Sequence, residues 1–374
     1  MKSPSAISRA VVVGAGIFGV SSALHLARLG VAVTLVTDQS PANGASGRSL
    51  SWLNSSRARS AEYHRLRMIG IDRYRTLAAR YPNATWLRFD GGLTWDPDNA
   101  ANGIAEAFAH ERSIGYEAQL LAAGQVAAVT PGVDASAITP QGAIFNPGEG
   151  WVDLPSLIDV LLGEFSALGG ELVSGAGRAV VNVVDARVTG VTAADGRRFD
   201  AEAVLLATGA DVPKIVAELG IRIPDATPIA LIVQTKPVDT ALRAVLNTPR
   251  VAVRPTPTGA LALDSAWSEE EVGVREDGTY AVRDSTIRGL LEEATAVLQG
   301  NPKLTLDFYG VGPKPIPQDG EPIFGQLDGI TGYYVAFSHS GATLGLIAGE
   351  LLAGEIATGE PHPLLATFRP SRFN

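Results

Sequence analysis

The sequence predicts a two-part chain, α/β in one part and α+β in the other: a Rossmann-like nucleotide-binding domain combined with a lobe built on antiparallel sheet. Three observations carry this reading. The turn Gly14-Ala15-Gly16-Ile17-Phe18-Gly19 lies between a β-branched run and an amphipathic helix. Strand-and-helix character of the same kind returns at residue 150 and again near 318. Residues 225–283 are alternating and Pro-rich, as antiparallel strands are.

Taken in order, residues 10–13 are an apolar strand. A helix follows over 17–29, with Val20, Leu24 and Ala27 at helical spacing and Gly30 as its C′ residue. Residues 31–36 form a second β-branched strand, which completes a βαβ order. Glycines in the turn do separate jobs: a tight bend, close approach of backbone to a pyrophosphate, and close helix–strand contact. The helix N-terminus then offers N–H groups and partial positive charge to phosphates. An acidic residue is sought at the end of the second strand to bind ribose hydroxyls. Thr37 stands eighteen residues after Gly19 and Asp38 one later, on opposite faces of a regular strand, so the ribose contact is left open between them. The small-residue loop Gly44-Ala45-Ser46-Gly47-Arg48-Ser49 carries one cation and suits a phosphate chain.

A helix over 60–80 follows, and Arg57, Arg59, Arg65, Arg67, Arg73, Arg75 and Arg80 are read as a solvated face. Residues 81–147 read as short strands with one or two helices. From Asp153 and Pro155 a helix places Leu157, Leu161, Phe165 and Leu168 on one face and stops at Gly169-Gly170. Strand 179–184, a hairpin turning at Asp195-Gly196, and strand 203–207 running into Thr208-Gly209-Ala210 come next. Ser285 is the capping candidate for a helix striped by Ile287, Leu290, Leu291, Ala294 and Leu298. After the extended segment 313–325 come strand 333–337, the loop Ser338-His339-Ser340-Gly341-Ala342-Thr343, and a helix over 343–357. Donors at that second helix start suit negative charge, which makes His339 a candidate site residue.

Composition narrows the function. A length of 374 residues argues for two domains, and a net charge of −9 gives no footprint for nucleic acid. Cysteine is absent, which excludes disulfides, thiolate metal sites and cysteinyl cofactor attachment and fits a reducing, cytoplasmic setting. No apolar run reaches the roughly 18–20 residues of a membrane-spanning helix. His25, His64, His110 and His362 lack metal-ligand spacing, so no metal site is expected.

The order of these motifs resembles the D-amino acid oxidase family of FAD-dependent oxidoreductases, which includes glycine oxidase, sarcosine oxidases and D-amino acid dehydrogenases. The resemblance covers nearly the whole chain. It rests on the Gly14 turn, Gly44-Ala45-Ser46-Gly47-Arg48, Gly150-Trp151-Val152-Asp153, Leu206-Ala207-Thr208-Gly209-Ala210, the run from Pro315 to Gly325, the Ser338 loop with its helix, and the Phe368–Phe373 ending. It implies a discontinuous FAD domain of glutathione-reductase type at 1–80, 148–214 and 318–374, and a substrate domain at 81–147 and 215–317. FAD contacts are implied at Gly14, Gly16, Ile17, Phe18, Gly19, Thr37, Asp38, Ala45, Ser46, Gly47, Arg48, Ser49, Val181, Thr208, Gly209, Ser340, Gly341, Ala342 and Thr343. With no His in the 44–52 loop and no cysteine, the cofactor is expected to be non-covalent.

The implied chemistry is oxidation of the C–N bond of a small D-amino acid or N-alkyl amino acid. Hydride passes to flavin N5 and the imine hydrolyses. Lys314 occupies the position where many members place an Arg for the substrate carboxylate, with Arg254 or Arg48 as helpers. Strand 260–264 lacks the oxygen-activating Lys of sarcosine oxidases. The electron acceptor is therefore O2 or, as the tilt of that absence suggests, a quinone or other carrier. The alternatives are a 2-hydroxy acid substrate, a nicotinamide dehydrogenase, or a flavin-binding protein without turnover of its own.

Overall fold

The computed structural model describes residues 7–373. The described chain divides into two compact units, the first made of residues 7–47, 154–228 and 313–373 and the second of 48–153 and 229–312.

The first unit is built on a six-stranded sheet in the order Ile323–Gln326, Tyr333–Phe337, Ala203–Leu206, Arg9–Val13, Ala32–Val36, Glu171–Val173. Neighbours run parallel except for the 323–337 hairpin. The uninterrupted apolar runs 10–13 and 203–206 are those of strands covered on both faces. Helix Ile17–Arg28 packs against both Gly341–Thr358 and Leu154–Ala167. Gly30 follows with φ +83°, ending the first helix where its sequence position predicts. A three-stranded antiparallel sheet, Val180–Val184, Arg187–Thr192 and Arg198–Asp200, adds Val188 and Val191 to the core beside Val11, Val204 and Val335. Gly196, at φ +85°, turns its second hairpin. The first turns instead at Asp185 and Ala186, two non-glycine residues with positive φ that composition did not mark.

The second unit carries an eight-stranded sheet in the order Leu306–Pro313, Ile229–Thr235, Leu261–Asp264, Ala252–Pro255, Val245–Asn247, Gly92–Thr94, Ala143–Asn146, Gln119–Leu121. Val245–Asn247 and Gly92–Thr94 pair in parallel, flanked by antiparallel pairs. Helix Asp284–Val297 lays Ile287, Leu290 and Ala294 into its core. Its N-cap is Arg283, not Ser285: Arg283 is still extended, and Asp284 already occupies the first turn, where a carboxylate suits the positive helix end.

Helix Ala61–Arg80 starts at Ser60, whose Oγ accepts the Tyr63 N–H at 3.2 Å. The solvated arginine face holds only in part. Arg65, Arg75 and Arg80 are exposed, but Arg67 is 3% exposed. It lies four residues from both Tyr63 and Ile71, on the helix's buried stripe.

Candidate functional site

The first unit builds a glycine-lined corner where its leading strand meets its first helix. Gly14 has φ +105°, and a β-carbon there would lie 2.5 Å from the Ala207 carbonyl oxygen. Its N–H donates to Val36 O at 2.8 Å, so the turn is tied to both neighbouring strands. A β-carbon on Gly19 would run into the Gly14 carbonyl, and one on Gly16 would stand 3.2 Å from Ser46 Oγ. Ser46 belongs to the short 3-10 turn Ala45–Gly47, and its hydroxyl accepts the Ile17 N–H at 3.1 Å. The 40s loop is thereby folded back onto the helix start, helped by the Ala42 N–H donating to Ala15 O at 3.0 Å.

Helix Gly341–Thr358 begins beside the first helix and runs with it. A β-carbon on Gly341 would be 3.4 Å from Ile17 Cγ2 and 3.7 Å from Phe18 Cε2. Gly345 and Gly349 leave no room for side chains against Ile17 and Ser21, so glycines let the two backbones close up. Neither N-cap residue, Gly16 or Ser340, caps its helix with its side chain, and neither first turn carries an acidic residue. Helix Ala61–Arg80, by contrast, has both Ser60 and Glu62. Two adjacent positive helix ends without an internal counter-charge are what a pyrophosphate or another anionic group requires. Thr208, next to the Gly14 turn, has a buried Oγ1 with no partner in the protein, and Gly209 follows at φ +62°. Glycine cradle, orphaned hydroxyl and uncapped helix ends all fit a bound dinucleotide.

Other sequence candidates in this unit are placed as follows. Ile17 and Phe18 are buried, with Phe18 edge-on to Phe324 at 5.3 Å. The Ala32–Val36 strand ends before Thr37, so face alternation no longer governs the next two residues. Thr37 is buried, and its N–H donates to Val173 O at 2.9 Å. Asp38 is exposed, its carboxylate 3.5 Å from the Thr37 hydroxyl. Val181 lies on the three-stranded sheet, packed against the core cluster that includes Val13 and Val36. His339 is exposed, Gly341 and Ala342 are half-buried, and Thr343 is buried. Ser340 donates its N–H to Ser338 Oγ at 3.2 Å. Lys314 is half-buried, with its N–H donating to Pro228 O at 2.9 Å.

In the second unit Arg254 is 4% exposed. Its guanidinium lies over the Trp151 ring at 5.3 Å, Nη1 donates to Pro255 O at 3.0 Å, and Nη2 is 3.8 Å from Asp153 Oδ1. Nε is buried without a partner, and burial pulls the group down to about 10. Arg48 lies against Gly310 and Gly312, where β-carbons would fall 2.9 Å from its Cγ and 2.6 Å from its Nη2, and burial lowers its pKa as well. Ser49 Oγ accepts the Ser51 N–H at 3.0 Å.

Sequence reasoning missed a buried polar network in this unit. Glu149 is 0% exposed, and its two oxygens accept from Trp52 Nε1 at 2.8 Å and Tyr116 OH at 2.6 Å. Burial, with the Glu111 charge added, pushes it up to about 8 against the pull of those hydrogen bonds. Glu111, 1% exposed, accepts from the Arg57 N–H at 2.8 Å and Asn146 Nδ2 at 2.9 Å. Only Arg67, through its place on an apolar stripe, left a signal in the sequence. No cluster able to hold a metal ion is present among the described residues, and none of their helices is long and apolar enough to cross a membrane.

A largely parallel sheet with a glycine turn and paired helix N-termini is the arrangement of nucleotide-cofactor-binding proteins. The match to known proteins is more specific: residues 9–355 fit the model of DAO, the FAD dependent oxidoreductases, and the chain belongs to that family. It is an oxidoreductase. A D-amino acid dehydrogenase from Cereibacter sphaeroides is 27% identical over 90% of this chain and 88% of its own. Among solved structures, the L-amino acid deaminase from Proteus myxofaciens, in complex with anthranilate, superposes with TM-score 0.84 at 17% identity, covering 100% of this chain and 96% of that one. The iminodiacetate oxidase of Chelativorans sp. BNC1 does so with TM-score 0.79 at 23% identity, covering 97% and 99%.

Proposed function

We propose that the first unit binds FAD non-covalently and that the protein oxidises the C–N bond of a small D-amino acid or N-alkyl amino acid. The observation that carries this is the convergence of two uncapped helix N-termini on one glycine-lined corner. Relatives acting on D-amino acids, L-amino acids and iminodiacetate share the α-amino carboxylate unit and differ around it, which supports the substrate class.

In this reading the Gly14–Gly19 turn and the Ala45–Gly47 loop hold the pyrophosphate, with Asp38 or Thr37 at the adenosine ribose. Thr208 Oγ1, which has no partner in the protein, would donate to the bound cofactor, and the start of helix Gly341–Thr358 would favour negative charge on its reduced form. FAD, when bound, supplies the acceptor for the hydride that leaves the substrate carbon. The protein's own task is then orientation more than proton transfer. Arg254, short of hydrogen-bond partners and pre-positioned on Trp151, binds the substrate carboxylate, and Lys314 adds a point charge. The neutral amine's lone pair forms the C=N bond as hydride departs. Water then adds, giving ammonia or an alkylamine and a keto acid or aldehyde.

The test is a screen of D-, L- and N-methyl amino acids with an artificial dye acceptor, run beside the same substrates under O2, with ammonia and alkylamine measured as products. Turnover on the order of 1 per second for one of them supports the reading. Turnover of 2-hydroxy acids alone, or of nothing, rejects it.

A further inference from the structure

Arg59 stands out from every other arginine of the second unit. Its guanidinium lies over the Tyr63 ring at 5.6 Å, yet among the described residues it makes no hydrogen bond and no ion pair, and its Nε is buried without a partner. Arg59 is half-buried: its Nε–H is out of reach of water with nothing in the protein to receive it, a cost that a folded chain ordinarily avoids, and no protein group takes its other N–H donors. The charge around it is also uncompensated. Arg67 covers the same Tyr63 ring at 5.3 Å, adding a second cation, and burial, with that neighbouring charge added, pulls Arg59 down to about 10. Glu149 faces the pair but is held largely neutral at pH 7, and Glu111 is taken up by Arg57 N–H and Asn146.

The segment that carries Arg59 is fixed from both sides. Arg67 Nε and Nη2 bind Asn54 O and Oδ1 at 2.8 and 2.9 Å. Ser55 donates its N–H to Tyr116 OH at 2.9 Å, and its Oγ lies 2.8 Å from His64 Nδ1. Arg57, at φ +67°, forks onto Asp96 with contacts of 3.2 and 2.7 Å. Every neighbouring cation thus has a partner, and the scaffold they form leaves Arg59 alone without one. An arginine held rigidly with an empty fork is arranged for a planar anion.

We propose that Arg59 is a ligand-binding, specificity-determining residue whose fork receives a carboxylate of the substrate. It rests on the amino acid reading above only in taking that anion to be a carboxylate.

The test uses the holoprotein and calorimetric titration with acetate and propionate, with acetamide and propionamide as uncharged controls. The wild type is expected to bind the acids and not the amides. R59M should weaken acid binding at least tenfold and R59K less so. R59M should also unfold at higher urea than the wild type, because it removes a half-buried charge whose Nε has no partner; a residue with a merely structural role would move stability the other way. In steady-state assays R59M should raise KM at least tenfold. If monocarboxylic and dicarboxylic amino acids suffer alike, Arg59 holds the α-carboxylate; if only dicarboxylic ones do, it holds the side-chain acid. Acetate binding by R59M at wild-type strength overturns the proposal, as does lower stability of R59M with unchanged KM. Loss of acetate binding in a protein that turns over no amino acid would sink the proposed function and leave this site standing.

Discussion

Replacing Glu149 by Gln removes a titratable group from a fully buried position while keeping its shape. The folded protein holds the Glu149 proton up to about pH 8, whereas the unfolded chain releases it near 4.5. Between those values the native state binds more protons than the unfolded one, so this group makes stability fall as pH rises. Carried across the whole window, the loss is at most about 5 kcal/mol, at up to about 1.4 kcal/mol per pH unit. The amide of E149Q does not titrate, so its contribution is flat. At pH 5 the variant is expected within about 1 kcal/mol of the wild type, on the weaker side, because Trp52 Nε1 and Tyr116 OH both donate to this side chain and an amide offers one oxygen. At pH 8.5 it should be the more stable by about 2–5 kcal/mol. The assay is urea unfolding of both proteins at half-unit pH steps, taking the difference curve so that other titrating groups cancel. A difference that is flat, or that favours the wild type increasingly as pH rises, refutes the reasoning.

Other outcomes follow from the same geometry. Gly14→Ala places a β-carbon 2.5 Å from a carbonyl that cannot rotate away, at a φ of +105°, and is expected to cost about 2–4 kcal/mol together with the flavin; urea midpoints and flavin content read both. Gly345→Ala sets roughly 1 kcal/mol of gained helix propensity against roughly 1–3 kcal/mol of overpacking on Ile17. Alone it should be neutral to destabilising. Combined with Ile17→Ala in a double-mutant cycle it should show about 1–3 kcal/mol of favourable coupling, and additive behaviour would contradict the close helix contact. Arg254→Met should lower kcat/KM about 30- to 1,000-fold, the equivalent of 2–4 kcal/mol, with Arg254→Lys recovering only part of it.

The nucleotide-binding corner is legible in the sequence because its constraints are local. Gly14, Gly16 and Gly19 are required by backbone approach, and the flanking runs of Arg9–Val13 and Ile17–Arg28 carry their own periodicities. The helix Gly341–Thr358 is legible for a related reason, its small residues marking close packing. What stayed hidden depends on distant partners. Glu149 meets Trp52 and Tyr116, and Arg57 meets Glu111, across separations that no window in the sequence spans. The arginine face was misread in this way. Arg67 sits at stripe spacing, but its burial is tolerable only because Asn54 and Tyr63 satisfy it. At Ser285 a good capping residue lost to the residue two positions earlier, since Asp284 serves the helix from its first turn.

The absorption spectrum of the purified protein, recorded before and after denaturation and again under anaerobic addition of an amino acid from the dye screen, tests the central claim most directly. A yellow protein that releases intact FAD on denaturation, and whose visible band bleaches without O2, is the predicted result. A colourless protein that added FAD neither colours nor stabilises would contradict it.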